Sequence, residues 1–365
     1  MRSLSTAICT TVAVALLAGC SGNASQTNPS GPSAIGQTQL KHLRQHHRPQ
    51  WTFPANLEND KTARPWYRQT LGGIRRRSGT APSKGMYVSE FYGSAVLAYE
   101  NRNTSNNPPV CSVPSGADYI NGIAVDGQGN LMTPLGSTPS GYREVEVWQG
   151  PAMCGSPVGT VMDPYGQPSD AASQDAVHGT IAVANIFGPS STAGSVSVCT
   201  LSGGCTANLT NAAMYKVAGV AMDKSGNCWA SAEDTTGVAT LTYFAGCTGS
   251  GQQANGFMNV DYGGLDIDAN GNLVSVDKLG QQLWVYSGCN PDCTLVGGPF
   301  PLQGESVFGA VNRQSMTFMA GNTVDGQVDV YYYSPDALTY WYSYNNGLNV
   351  TYTVEGVAYN PRSKQ

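Results

Sequence analysis

Short runs of alternating apolar and polar residues follow one another along the chain, and one run returns at a nearly regular spacing. Its clear copies begin at Gly122, Gly219 and Gly264, and each continues with small or apolar residues and then Asp-x-x-Gly-Asn. The Asp-x-x-Gly-Asn segment predicts a tight turn between two antiparallel strands, because it supplies a glycine where the backbone needs a left-handed residue. Weaker copies begin at Asp170, Gly309 and Gly356.

A third apolar run follows each turn, for example at 145–148 and 195–199, and a less regular fourth run precedes the next copy. Four short strands in a unit of about 45 residues are typical of one blade of a β-propeller. The last copy supplies only a first strand, whereas the region from residue 85 begins with a second strand at 86–89. We therefore predict an all-β fold, a six-bladed β-propeller of four-stranded antiparallel blades whose ring is closed by pairing the N- and C-terminal strands. A solenoid and a seven-bladed ring are the alternatives.

Composition supports strands and turns, since only 12% of the residues are charged and the chain contains 44 Gly, 21 Pro and 19 Tyr. The charge is divided unevenly. Residues 21–84 hold ten Lys or Arg against two acidic residues, whereas residues 85–365 hold eight against 22. An acidic globule lacks the basic surface that binds phosphates, so we expect no nucleic-acid partner.

The N-terminus predicts export. Arg2 precedes a short apolar stretch that ends in Leu17-Ala18-Gly19-Cys20, which resembles the lipobox of bacterial lipoproteins. The resemblance implies a signal peptide at 1–19, a lipidated Cys20 and a membrane anchor in the cell envelope. Because no Asp follows the cysteine, the outer membrane is favoured if the cell is Gram-negative. An ordinary signal peptide with a chance cysteine is the alternative.

Residues 20–84 are predicted to form a flexible basic tether, because the segment opens with a Ser-, Asn-, Gly- and Pro-rich stretch that cannot bury a core. His42, His46 and His47 lie in it among basic residues. A metal site is the alternative for these histidines, but no Cys or carboxylate accompanies them. The propeller is expected at 85–365.

The motif Gly-[Ile/Val/Leu]-Ala-x-Asp-x-x-Gly-Asn-Leu resembles the NHL repeat and the repeats of related six-bladed propellers. The resemblance covers about 85–365, with three clear units and three degenerate ones. It implies the same ring that the strand pattern predicts.

Eight cysteines follow the tether, and an exported chain can oxidise them. The propeller frame favours disulfides between neighbouring strand ends, with one pair left by elimination. The predicted pairs are Cys199–Cys205, Cys228–Cys247, Cys289–Cys293 and, least directly, Cys111–Cys154. Free or metal-bound thiols are the alternative.

Polar residues are predicted at the end of the ring where the chain enters each first strand and leaves each second strand. The metal-ligand candidates there are Glu90, Asp118, Asn121, Asp266 and Glu355. Their oxygens suit Ca²⁺, and a solvated acidic rim is the alternative. The fold also resembles lactonases of the gluconolactonase and regucalcin type, which implies a Glu, Asn and Asp metal site, yet only Asn121 matches that pattern by position.

Two functions follow from these observations. The first is a membrane-anchored exported lipoprotein whose propeller is a non-enzymatic binding module for a protein, a glycan or a small ligand. The alternative is a Ca-dependent lactonase-like hydrolase or lyase with its site in the central funnel. The sequence favours the first, because it contains no Ser/His/Asp order, phosphate loop or cofactor motif.

Overall fold

The computed structural model describes residues 85–91, 95–100, 103–114, 119–137, 143–149, 156–189, 192–312, 316–348 and 354–360. All of them belong to one compact unit, Thr52–Gln365. They form six antiparallel sheets around a central channel, each with the four strand positions of a blade. The chain is therefore a six-bladed β-propeller, as the strand pattern predicts. The predicted signal peptide and tether lie outside the described residues.

The strands follow the ring blade by blade in chain order. The closing blade contributes β1 (Gly85–Glu90), β2 (Ala95–Glu100) and β3 (Cys111–Pro114). Blade 1 has β4 (Tyr119–Ile120), β5 (Ala124–Val125), β6 (Leu131–Ser137), β7 (Glu144–Trp148) and β8 (Gly159–Met162). Blade 2 has β9 (Pro168–Ser173), β10 (Thr180–Asn185), β11 (Ser195–Thr200) and β12 (Gly204–Leu209). Blade 3 has β13 (Lys216–Met222), β14 (Cys228–Glu233), β15 (Ala239–Phe244), a 3₁₀ turn (Ala245–Cys247) and β16 (Gln252–Gln253).

The remaining strands complete the ring. Blade 4 has β17 (Leu265–Ile267), β18 (Leu273–Asp277), β19 (Gln282–Ser287) and β20 (Thr294–Pro301). Blade 5 has β21 (Gly309–Asn312), β22 (Thr317–Asn322), β23 (Gln327–Ser334) and β24 (Ala337–Tyr344). The last strand, β25 (Val354–Asn360), is the first strand of the closing blade. In blade 1 the first strand is divided, because β4 and β5 both pair with β6.

The closing blade confirms the predicted closure. Its strand order is β25-β1-β2-β3, and β25 is antiparallel to β1 with Met86 opposite Tyr359 and Val88 opposite Val357. The N- and C-terminal strands of the propeller thus share one sheet, which removes two exposed strand edges.

The apolar core lies between the blades. Six buried clusters are found among the described residues, and each combines side chains from two neighbouring blades. Tyr87 and Trp148 belong to the cluster between the closing blade and blade 1, and Val357 and Met319 to the cluster between blade 5 and the closing blade. Because each blade buries both of its faces, the ring is continuous around the channel.

The repeated turns explain the sequence motif. Asp268 Oδ1 accepts hydrogen bonds from the backbone N–H groups of Asn270 and Asn272, both at 2.8 Å, and its Oδ2 accepts one from Asn272 Nδ2 at 2.9 Å. Gly271 has φ 82°, a left-handed value that favours glycine. Asp126 and Asp223 make the same set of bonds. We call the side of the ring with these first-to-second-strand turns the turn face and the opposite side the loop face.

Disulfides join strand ends on the turn face. The bonded pairs are Cys199–Cys205, Cys228–Cys247 and Cys289–Cys293, as the propeller frame predicts. Cys111 is also disulfide-bonded, but Cys154, its predicted partner, lies outside the described residues, so that pairing stays a prediction. Disulfides are typical of proteins that fold in an oxidising compartment, and they indicate export. Within the described part of the chain, no helix is both long and apolar enough to cross a bilayer.

Candidate functional site on the loop face

The central channel is narrow and is blocked by an aromatic side chain. Its free volume is ≈ 20 Å³, which is room for about one water molecule. Phe308, at the entrance to blade 5, reaches toward two other blades. A Cβ added at Gly122 would lie 2.7 Å from Phe308 Cε1, and one added at Gly264 would lie 2.7 Å from Phe308 Cδ1. Glycine at both positions therefore leaves space for a ring that closes the channel, and a ligand larger than water must bind above it.

Above this plug lies a group of buried charged residues that we call the acidic well, formed by Asp261, Lys278, Glu305 and Glu355. Lys278 is only 5% exposed and follows β18 directly, and its Nζ lies 3.8 Å from Glu305 Oε1. The same Nζ lies 5.9 Å from the ring centroid of Tyr262, so it also makes a cation–π contact. The well is thus built from the loops that enter the first strands and leave the second strands.

Burial changes the ionisation of two carboxyl groups in the well. Desolvation raises the pKa of Asp261 to about 7 and that of Glu355 to about 7. In each case the positive charge of Lys278 opposes the shift without cancelling it. Near neutral pH these carboxyl groups hold a substantial share of their protons, because the well lacks the positive charge that full ionisation would require.

Asn121 lies beside the well. Its backbone carbonyl accepts a 2.6 Å hydrogen bond from Ser89 Oγ, which in turn accepts one from Gly356 N–H, the residue after Glu355. Its Nδ2 donates to Pro168 O in the approach to blade 2, while Oδ1 has no hydrogen-bond partner although the residue is 2% exposed. Asn121 Oδ1 is therefore a buried acceptor without a donor, in a residue that Ser89 links to the neighbour of Glu355.

Two other polar residues at the ends of second strands on the loop face hold the blades together. Asn185 donates from Nδ2 to Asp163 Oδ2 and Ser197 Oγ, which ties the end of β10 to its neighbours. Asp277 accepts hydrogen bonds from the backbone N–H groups of Val260 and Gly280. These hydrogen bonds hold both side chains within their own and neighbouring blades.

Four of the five predicted metal ligands are among the described residues, in three different blades. Glu90 is buried at the end of β1, whereas Asp118 lies outside the described residues. Asp266 lies in β17, where its carboxylate accepts hydrogen bonds from the backbone N–H groups of Ile267 and Val311. Its place is therefore structural, since these bonds join blades 4 and 5.

No compact metal site joins these candidates. In the described ranges, the one group of three His, Cys, Asp or Glu donor atoms within 4.8 Å of one another is Asp163 with Cys199 and Cys205. Its two sulfurs form a disulfide and so cannot act as thiolate ligands. Glu90, Asp266 and Glu355 do not form such a group, and their role as metal ligands stays a prediction.

Apolar side chains surround the acidic well on the loop face. Tyr215 and Met258 lie in loops that enter first strands, and Val238, Leu279 and Val324 lie in loops that leave second strands; all are at least one-third exposed. The half-buried Phe187 contacts Tyr215 edge-to-face, with ring centroids 6.4 Å apart. We call these six residues the apolar arc, which extends over blades 2 to 5. Exposed apolar residues on one face of a protein are typical of an interaction surface.

Sequence reasoning missed Lys278 and Tyr262 as members of the site. Lys278 follows a continuous β18 pattern that ends in Asp277, and a lysine at a strand end normally suggests a solvated position. Its burial depends on Glu305 from the next blade, which sequence does not place. A signal did exist, because four acidic residues near the loop face left this lysine as one of few cations available to them.

Comparison with known proteins identifies the architecture and nothing finer. No protein-family model matches the sequence, and no curated protein matches it. A chain in the crystal structure of a nidogen/laminin complex is similar over 77% of this chain and 99% of its own, with a TM-score of 0.53 and 13% identity. A protein of unknown function from Bacteroides caccae is similar over 76% and 99%, with a TM-score of 0.53 and 12% identity. At such identities the likeness shows the fold alone.

Proposed function

We propose that this chain is an exported, membrane-tethered interaction module that binds a protein partner on its loop face. The propeller fold is consistent with a binding module, and the observation that carries the proposal is the apolar arc around the acidic well. A lysine and carboxylates line the centre, while six apolar residues surround it. The exposed apolar residues favour an interaction surface over a solvated rim.

The geometry of the channel supports a protein partner over a small substrate. A ligand pocket usually has a volume of about 300–1,000 Å³, whereas this channel has ≈ 20 Å³ and is closed by Phe308. A partner that rests on the arc needs no such cavity. The nidogen/laminin comparison adds only that a propeller of this fold occurs in a protein complex.

The tether and the anchor are supported by the sequence. Leu17-Ala18-Gly19-Cys20 carries the pattern of a lipidation site, and the following segment 21–84 is long and polar. An anchored disc on such a tether can meet partners at a distance from the membrane. Metabolic labelling with a radioactive fatty acid should mark the wild-type chain and not Cys20→Ser, and equal labelling of both would contradict the anchor.

The interaction can be tested with two matched leucines. Leu279 in the arc is 44% exposed, and Leu295 on the outer strand of blade 4 is 41% exposed. The full chain, Leu279→Glu and Leu295→Glu are each used to retain proteins from a cell-envelope extract, and each protein retained is then purified and titrated against all three. We expect Leu279→Glu to weaken binding about tenfold or more, while Leu295→Glu binds like wild type.

The same titrations define failure. If every purified partner binds Leu279→Glu as tightly as wild type, or if Leu295→Glu is the variant that loses binding, the loop face is not the interface. Circular dichroism of both variants verifies that the exposed substitutions leave the fold intact.

A further inference from the structure

The acidic well has too little positive charge for its carboxylates. Five acidic side chains of the described residues lie in or beside it, namely Glu233, Asp261, Asp277, Glu305 and Glu355. They are accompanied by two ammonium groups, Lys216 at 2.9 Å from Glu233 and Lys278 at 3.8 Å from Glu305. Buried charges are normally paired. Asp261 and Glu355 therefore depend on protons or on a cation from outside the chain.

Unused hydrogen-bond acceptors point to the same need. Glu355 is 3% exposed, and its carboxylate makes no hydrogen bond to any residue that the structure describes. Asp261 Oδ1 accepts one from Tyr262 N–H, at 2.9 Å. Asn121 Oδ1 is buried without a hydrogen-bond partner, while Asn121 Nδ2 donates to Pro168 O. A guest with several N–H donors would satisfy Asn121 Oδ1, because a buried acceptor without a donor is destabilising, and its charge would balance the two carboxylates.

We infer that the protein partner inserts a lysine or arginine side chain into the acidic well. There the carboxylates of Glu355 and Asp261 and the side-chain oxygen Oδ1 of Asn121 accept hydrogen bonds from its N–H groups. This inference rests on the proposed function and specifies the chemistry of the partner. The apolar arc then contacts the aliphatic stem and the residues beside the inserted side chain. Arg is among the residues enriched at the energetic centres of protein interfaces, and complementary charges across an interface contribute to specificity.

A side-chain cation fits the geometry better than a metal ion. A metal ion needs several oxygens at about 2.3–2.6 Å for Ca²⁺, and no three carboxylates of the described residues approach within 4.8 Å of one another. An ammonium or guanidinium group accepts wider spacing, because its donors point in several directions at about 2.8 Å. Phe308 closes the floor beneath, so the guest must enter from the loop face.

Insertion should be linked to protons. Asp261 and Glu355 have pKa values raised to about 7 by burial, so a positively charged guest would lower both values and release protons near pH 7. Other charged or titratable groups face these two carboxyls from the elements packed around them. They are Glu233 with Lys216 in blade 3, Tyr262 in the same loop as Asp261, Asp277 at the end of β18, Lys278 directly after it, and Glu305 before β21. Glu90 ends β1, opposite Val354 in β25.

The test uses small probes on the full chain. N-acetyl-lysine-N-methylamide, its norleucine analogue and CaCl₂ are each titrated at pH 7 by calorimetry in two buffers of different ionisation enthalpy. We expect saturable binding of the lysine probe with proton release, and none of the norleucine probe. Glu355→Gln should weaken that binding about tenfold. Asp292→Asn, an exposed turn-face control with the same loss of charge, should not.

A second variant determines the sign of the partner's charge. Lys278→Met should strengthen binding of the lysine probe, because it removes a like charge from the well. Weaker binding of the lysine probe would overturn the inference, because it would show that Lys278 does not compete with a cationic guest. Absence of saturable lysine binding, equal norleucine binding, or Glu355-dependent Ca²⁺ binding instead would overturn it too. If the lysine probe binds but Leu279→Glu leaves every partner unaffected, the proposed interface fails while the well stands.

Discussion

The turn face and the loop face of the ring differ in how many hydrogen bonds their buried carboxylates accept. On the turn face, Asp126 and Asp268 each accept hydrogen bonds from two backbone N–H groups and an asparagine, and each also bonds to the neighbouring blade. On the loop face, Glu355 is as deeply buried but makes no hydrogen bond to a described residue. The carboxylates of the turn face therefore stabilise the ring, whereas the Glu355 carboxylate on the loop face is not used in this way.

This difference explains why the repeat motif does not indicate the function of the protein. Asp-x-x-Gly-Asn recurs because its carboxylate, glycine and amide close a turn, and those groups are then fully used. Residues that break the repeat, such as Phe308 and Glu355 at the entrances of first strands, are free to differ from blade to blade. A site is thus expected where equivalent positions carry unlike residues.

The largest expected effect comes from a turn aspartate that also joins two blades. Asp268→Ala should lower the free energy of unfolding by about 4 kcal/mol, because it removes four hydrogen bonds and leaves the Tyr333 hydroxyl buried. Asp223→Ala, whose aspartate shows no bond to the next blade among the described residues, should lower it by only about 2 kcal/mol. Urea unfolding of both variants measures the difference, and equal losses would show that the cross-blade bond contributes nothing.

A smaller effect is expected from the covalent links of the turn face. Replacing Cys228 and Cys247 by serine opens a loop with a sequence separation of 19 and should cost about 3 kcal/mol of stability. The same double substitution at Cys289 and Cys293, whose separation is 4, should cost about 2 kcal/mol. Lysine-probe binding at the loop face should persist in both variants. Loss of that binding in a folded variant would show that the two faces are not independent.

The third expected effect has the opposite sign and belongs to the loop face. Burial raises the pKa of Glu355 to about 7, so the folded chain holds a proton that the unfolded chain releases at lower pH. The free energy of unfolding should therefore fall as the pH rises from about 4.5 to 7 and then level off. Glu355→Gln carries no charge, so it should match wild type at pH 4 and exceed its stability by about 3 kcal/mol at pH 8.

Asp277→Asn is the control for this gain. Its carboxylate accepts backbone N–H groups from Val260, Asp261 and Gly280, and an amide replaces one acceptor oxygen by a donor. The same acid-to-amide change should therefore destabilise the chain at pH 8 instead of stabilising it. The test is the urea midpoint of each variant from pH 4 to 8. A Glu355→Gln variant less stable than wild type at pH 8 would show that Lys278 already stabilises the ionised Glu355 carboxylate.

Most of the fold could be predicted from local pattern. Gly129, Gly226 and Gly271 have the left-handed φ values that the turn motif requires, and the unpaired first strand at the end of the repeats predicted its pairing with β1. The disulfides Cys199–Cys205, Cys228–Cys247 and Cys289–Cys293 followed from strand ends. These features depend on neighbours within one blade or on the period itself, which sequence records directly.

The site was predictable only in part. The entrances and exits of strands were placed on the correct face, and Asn121 and Glu355 do lie there. Sequence could not show that Asp277 is used by backbone donors or that Lys278 is buried against Glu305, because those outcomes depend on loop paths between two blades. The charge and hydrophobicity of a loop residue do not determine how deeply its side chain is buried, because loops vary in path.

The acidic well is complete only after the last strand, β25, has paired with β1 in the closing blade. Gly356 N–H donates to Ser89 Oγ across a separation of 267 residues, and Glu355 enters the well on that same strand. A nascent or partly exported molecule therefore has neither a complete ring nor its acidic centre until β25 arrives. Contacts so distant in sequence form slowly, so a partner that probes the loop face would also discriminate finished molecules from unfinished ones.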